Sequence, residues 1–325
     1  MAAAGFAAGC AREENSKAAP SSPPATARKV ILQSDWFPQA EHGGFYQALA
    51  RGFYREAGLD VEILPGGPGA GIKLKTAKGE ADFGMLKSDD IILAASQGLP
   101  LVMVMATMQH DPQALLVHAD SPVKTLRDLQ GRTVNAPPGM TWIRYVQKKF
   151  GIGFNLVPTN YGIAHFLANP DVIQQCVVTN EPFIARQNGK AVRAVSLAES
   201  GYDCYPVVFC RRELTRTAPE MVQAFVAASI RGWRDYLDGD PAAADALILQ
   251  RNSHMTPELL KFSRSEMILR GLVHGDAAKG EDIGQLSLAR LAEQMQTLLE
   301  LKVLETPVAI TSVATKDFLP TARGN

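Results

Sequence analysis

From Val30 onward, short apolar runs alternate with stretches in which apolar residues recur every three or four positions. The runs at residues 30–32, 59–64, 81–85, 101–107 and 114–117 predict strands. Between them, residues 44–57 predict a helix with Phe45, Ala48, Leu49 and Phe53 on one side and Gly58 as its stop. Further helices are expected through residues 73–78 and 88–96. The second of these has Ser88 as N-cap and Asp89 and Asp90 in its first turn, where carboxylates suit the helix dipole. A β-α-β-α rhythm of this kind predicts a mostly parallel sheet covered by helices, an α/β fold.

The rhythm then repeats. SPVKTLRDLQGRTV reads as a short helix, a glycine stop and a strand, and PPGMTW turns into a helix through Phe150. Residues 172–178 predict a strand, Asn180 the cap of a helix through Gln187, and residues 192–195 and 207–209 two more strands. Beyond Arg211 the pattern is helical over residues 219–236, 241–250, 257–270 and 286–301. The first three of these helices open on a proline, which helix starts favour. There is no internal repeat at a fixed period.

Composition narrows the possibilities. The 325 residues are 46% hydrophobic, enough for a buried core in one or two domains. Lys+Arg and Asp+Glu are both 33, so the net charge is zero, and no basic block invites nucleic acid. No apolar run reaches the roughly 18–20 residues of a membrane helix. The six histidines stand singly, without the spacing of a metal site, and no cofactor is implied. Cys10, Cys176, Cys204 and Cys210 are too scattered for a disulfide scaffold; Cys204 and Cys210 could pair or simply be buried.

Two segments carry a resemblance. Phe6-Ala7-Ala8-Gly9-Cys10 is similar to the tail of a bacterial lipobox, which implies a lipid on Cys10. The Ala-, Pro- and Ser-rich stretch after it suits a tether rather than a fold. DWFPQAEHGGFYQALARGFYREAGLDVEI resembles the opening of the thiamine-pyrimidine precursor and sulfonate/nitrate group of periplasmic binding proteins, through Trp36, Pro38, His42, Gly44, Tyr46, the Arg51–Tyr54 helix end and Gly58–Val61. GEADFGM, QGLPLV, MQHDPQALLVH, SPVKTLRDLQGRTV and QQCVVTNEPF continue the likeness in order.

That resemblance implies the type II periplasmic-binding fold. Residues 1–28 would form the leader remnant and linker, residues 29–117 with 208–325 one α/β lobe ending in helices, and residues 118–207 the other, with two crossovers as hinge. It further implies a monomeric, extracytoplasmic, lipid-anchored solute-binding protein that delivers a small molecule to an ABC permease and ATPase.

In open α/β sheets, ligands gather beyond the carboxyl ends of strands, at helix N-termini. This places Asp35, Trp36, His42, Tyr46, Ser88, Thr141 and Glu181 as ligand-binding candidates. Trp36 and Tyr46 could stack a flat ring, whereas Asp35 and Glu181 could accept from its amino groups. Lys87 and Arg144 are the basic residues expected near the cleft, and they would carry the alternative ligand, a sulfonate- or nitrate-like anion. A second alternative is the pyrimidine synthase of the same fold, which needs a Schiff-base lysine and a histidine four residues on. Those positions hold Leu86 and Asp90 here, and no histidine occurs between His42 and His110. The expectation is therefore binding, not catalysis, of an aminopyrimidine-like solute.

Overall fold

The computed structural model describes Met1 and residues 27–159 and 161–320. Cys10 and its expected lipid, with nearly all of the expected linker, lie outside the described residues. Among these, no helix is long and apolar enough to cross a membrane.

The first lobe contains β1 (Arg28–Gln33), α1 (Gly43–Ala50), α2 (Phe53–Glu56), β2 (Leu59–Leu64), α3 (Ile72–Lys78), β3 (Phe83–Lys87), α4 (Ser88–Ser96) and β4 (Leu101–Ala106). The second contains β5 (Gln113–His118), β6 (Thr133–Asn135), α5 (Thr141–Phe150), β7 (Asn155–Val157), α6 (Ala164–Ala168), β8 (Ile173–Val177), α7 (Glu181–Gln187) and β9 (Val192–Ser196). The chain then returns through β10 (Pro206–Arg211) to α8 (Leu214–Thr217), α9 (Pro219–Asp238), α10 (Ala242–Arg251), α11 (Pro257–Leu269), α12 (Leu288–Glu300) and α13 (Ile310–Val313).

Each lobe is built on a five-stranded sheet, ordered β2-β1-β3-β10-β4 in the first and β7-β6-β8-β5-β9 in the second. β1 runs parallel to β2 and β3, but β10 is antiparallel to both of its neighbours, and so is β5 to β8 and β9. Each sheet is therefore mostly parallel, as expected, with one reversed strand that makes it mixed. The strand that follows each crossover enters its new sheet from the opposite end, and so runs against the others. The same pairing corrects the expected lobe boundary at residue 117, because β5 lies in the second sheet and the first crossover falls at residues 107–112. The second crossover, at residues 197–205, lies against it. Thr107 N donates to Pro206 O at 2.8 Å, and Asp111 N donates to Asp203 Oδ1 at 2.8 Å.

Burial follows strand position. β4 and β5 are buried at every residue; β4 lies at a sheet edge, but the chain around Gly284 and Ala314 bridges to it and covers that edge. β2, at an edge, alternates Leu59, Val61 and Ile63 inward with Asp60 and Glu62 outward. The expected single helix over residues 44–57 is broken into α1 and α2 at Gly52, whose φ of 75° is left-handed and ends a helical run. Phe83 and Tyr54 stack on Phe225 of α9, with ring centroids 4.1 and 5.4 Å away, and this joins sheet, α2 and the C-terminal helices in one core. Cys176, Cys204 and Cys210 are buried and free, so the open question of a Cys204–Cys210 bond is answered as plain burial.

Candidate functional site

A cleft of about 480 Å³ lies between the lobes, within the range of small-molecule sites. The first lobe contributes the loop after β1 and the start of α4, and the second contributes residues 137–142, Tyr161 and the junction of β8 with α7. All but Tyr161, which stands in the loop between β7 and α6, lie at a strand end or a helix start.

The loop after β1 is held rigidly. Ser34 Oγ donates to the carbonyl oxygens of Trp36 and Leu64, and Gly66 N donates to Trp36 O at 2.9 Å. A Cβ on Gly66 would stand 2.2 Å from Ser34 O, so only glycine permits this approach. The loop presents Trp36 to Tyr161 of the other lobe, with ring centroids 4.9 Å apart and planes tilted by 56°. Tyr161 is 47% exposed and has a φ of 64°, a conformation that bulky residues adopt mainly at ligand clamps and similar strained sites.

Of the residues expected from sequence, Asp35, Trp36, Thr141 and Glu181 line the cleft. The other three lie behind it. His42 is buried and holds Asp35 through Nε2–Oδ1 at 2.8 Å, so it orients a lining residue rather than lining the cleft itself. Tyr46 is 1% exposed in the core, with the Arg251 guanidinium 5.4 Å from its ring, because its place on α1 faces the C-terminal helices. Ser88 does not cap its helix. It is the first residue of α4, and its hydroxyl donates to Gln294 Oε1 and accepts from Tyr205 N, which ties α4 to α12 and to the second crossover.

The two expected cations also separate. Arg144 sits on the outer face of α5, where it donates to Lys302 O at 2.7 Å beyond the end of α12. Lys87 does line the cleft, and its ammonium is paired with the buried Asp111. Burial alone would lower the Lys87 ammonium, but Asp111 beside it, with Cys204 and Asp89, holds it above the usual lysine range.

Carboxylates dominate the lining: Asp35, Asp89, Asp90 and Glu181 against Lys87. Burial pushes the Glu181 carboxyl up to about 7; the Val177 N–H that it accepts at 2.8 Å works against this, and Glu41 adds to the rise. Glu41, from the first lobe, is itself raised by burial and accepts the Thr179 hydroxyl of the second, so one hydrogen bond spans the lobes beside Glu181. Asp90 is raised by burial and by Asp89. Tyr161, Gln113 and Tyr202, which also line the cleft, were absent from the sequence expectation. Gln113 follows the first crossover and Tyr202 lies within the second, and the only signal for Tyr161 was an aromatic residue in a turn-rich stretch. Among the described residues, no group of three or more His, Cys, Asp or Glu could hold a metal ion.

Two mixed sheets exchanging strands through paired crossovers, with a cleft between them, define a two-lobed α/β protein of the periplasmic-binding fold. Solved structures agree. The periplasmic aliphatic sulphonate-binding protein SsuA of Escherichia coli superposes with a TM-score of 0.64 at 16% identity, covering 92% of this chain and 96% of its own. Residues 39–244 match the family described as NMT1/THI5 like, and the chain belongs to that family. Among curated relatives, the riboflavin-binding protein RibY of Chloroflexus aurantiacus is 26% identical over 340 residues, 93% of this chain and 91% of the relative. The formylaminopyrimidine-binding protein of Halalkalibacterium halodurans is 25% identical over 244 residues, 70% and 72% of the two chains. A 4-amino-5-hydroxymethyl-2-methylpyrimidine phosphate synthase of Saccharomyces cerevisiae, THI11, is 21% identical over 243 residues, 66% and 72%.

Proposed function

We propose that this protein is the extracytoplasmic solute-binding component of an ABC importer, and that its solute is a flat nitrogen heterocycle stacked against the Trp36–Tyr161 pair. The pairing of these two rings from different lobes, over a carboxylate-rich cleft, carries the reading. A flat ring stacked on this pair gains about 1 kcal/mol from aromatic stacking beyond area burial. Ring amino groups donating to Asp35 or Glu181 add charge-assisted hydrogen bonds of about 1.5–3 kcal/mol. The aminopyrimidine expected from sequence fits these terms, and relatives named for riboflavin and for a formylaminopyrimidine widen the class to larger fused rings.

Catalysis of the synthase kind is disfavoured by Lys87. A Schiff base needs a neutral amine, and here the ammonium is held charged by Asp111. An anion such as a sulfonate is the second reading, and one observation favours it. α5 begins at the cleft with no acid in its first turn and no side-chain cap, leaving N–H groups free for an oxygen of the ligand.

Calorimetry against a panel of aminopyrimidines, riboflavin, an alkanesulfonate and nitrate tests the proposal. Binding of a heterocycle, weakened about fivefold by Trp36→Ala with the circular dichroism spectrum unchanged, is the expected result. Binding of the sulfonate alone, unaffected by that substitution, would overturn it. The lipid anchor at Cys10 belongs to the same proposal. Cys10→Ala should move the protein from the membrane to the soluble fraction, and equal membrane retention of the variant counts against the anchor.

A further inference from the structure

The inner wall of the cleft carries hydrogen-bonding capacity that the chain itself leaves unused. Asp89, in the first turn of α4, is 2% exposed. Its Oδ2 accepts the Tyr202 hydroxyl, which fixes the carboxylate, but its Oδ1 has no partner among the described residues. Gln113, the first residue of β5, is 8% exposed and its Oε1 is equally unpartnered. Asn180 Oδ1 and the Trp142 indole N–H complete the set, and all four residues line the cleft that holds Trp36 and Tyr161. Buried polar atoms in folded proteins are almost always paired, so four orphans around one cavity point to a ligand that pairs them.

The unpartnered atoms of Asp89, Gln113 and Asn180 are acceptors and that of Trp142 is a donor; Asp89, a carboxylate, is the one side chain of the four that only accepts. The nearest cation, Lys87, is already engaged with Asp111. Depth separates this region from the aromatic pair, since Tyr161 is 47% exposed whereas Asp89 and Trp142 are buried. A ring stacked at the rim therefore brings any substituent directed inward toward the free Asp89 oxygen.

Resting on the heterocycle reading above, we infer that the inner end of the cleft recognises a hydroxyl- or amino-bearing arm attached to the stacked ring, with Asp89 as the residue that sets this specificity. Asp89 accepts from the arm through Oδ1 while Tyr202 holds the carboxylate in place, and Gln113 and Asn180 take further donors. A ring without such an arm leaves these buried oxygens unpaired and binds more weakly for that reason.

Calorimetry on the full chain with two probe pairs tests this. One pair is riboflavin against the same tricyclic ring carrying a methyl in place of the ribityl chain. The other is 4-amino-5-hydroxymethyl-2-methylpyrimidine against the same ring with a methyl in place of the hydroxymethyl. In whichever pair binds, the armed member should bind at least about tenfold more tightly than the bare ring. Asp89→Asn, which keeps the side-chain shape and the Tyr202 contact, should reduce that ratio to about threefold or less by weakening the armed member more than the bare ring. Trp36→Ala should weaken both members alike. Equal affinity for armed and bare rings in the wild type would overturn the inference and leave the heterocycle reading standing. So would an unchanged ratio in Asp89→Asn, or equal loss of both members in a variant whose melting temperature is unaltered. Failure of all four probes to bind the wild type would overturn both.

Discussion

Glu181 shows how one residue can be both a ligand candidate and a source of pH dependence. It begins α7, where the helix dipole welcomes a carboxylate, yet its carboxyl is lifted from 4.5 to about 7 by burial, with Glu41 adding to the effect. A carboxyl whose pKa rises on folding binds its proton more tightly in the folded state. The stability it contributes is fully present below about pH 4.5 and is lost as pH rises through about 7. Glu41, raised by burial in the same way, acts in the same direction. Thermal unfolding of the ligand-free protein should therefore show a melting temperature that falls between about pH 5 and about pH 8. In Glu181→Gln, which cannot ionise, the fall should be shallower but not abolished, because Glu41 remains. An identical pH slope in wild type and variant would show that Glu181 is not titrating there. At this scale the sequence spoke through position: Asp35, Trp36 and Glu181 were legible because each follows a strand and precedes a helix. Ser88 met the same description, and its hydroxyl is spent on Gln294 and Tyr205, contacts that only the folded chain creates.

At the scale of elements, what periodicity governs was readable and what pairing governs was not. The all-buried β4 and the alternating β2 announce themselves as apolar runs of the right length. The direction of β5 and β10 does not, because a strand's apolar pattern is the same whether its neighbour runs with or against it. Only the crossovers at residues 107–112 and 197–205 decide that, by delivering each strand to the far end of the other sheet. The face of α5 was legible and was misjudged. Trp142, Ile143, Tyr145 and Val146 are its buried stripe, so the same helical period sends Arg144 and Lys148 to the opposite side. There, four residues apart, both donate to carbonyls just beyond the end of α12, Lys302 O and Leu301 O, where cations suit a helix C-terminus. These contacts tie the second lobe to the C-terminal helices behind the cleft. Tyr161, the second half of the aromatic pair, left no periodic trace because it stands in a loop at positive φ.

For the whole molecule, the question is what brings the lobes together. In the arrangement seen, Trp36 meets Tyr161, Glu41 accepts from Thr179, and the Ser263 hydroxyl of α11 donates to Thr179 O at 2.6 Å, so the cleft is drawn in at several points. The same arrangement gathers Asp35, Asp89, Asp90 and Glu181 around one cavity, where like charges out of water repel. Closure is thus opposed by the ionised cleft and favoured by whatever supplies protons to it, a solute rich in N–H and O–H groups or the solvent itself. Because burial in the closed form raises Glu181 to about 7 and raises Glu41 as well, the closed form holds their protons more tightly than an open form in which water reaches them. Linkage then requires acid to shift the population toward closure. Small-angle scattering of the ligand-free protein should give a smaller radius of gyration at about pH 5.5 than at about pH 8, and saturating solute should contract the protein at about pH 8 and erase most of that difference. A radius that responds to solute but not to pH would mean that the carboxylates do not govern closure. A radius indifferent to both, with binding confirmed by calorimetry, would mean a rigid cleft and no hinge motion at all.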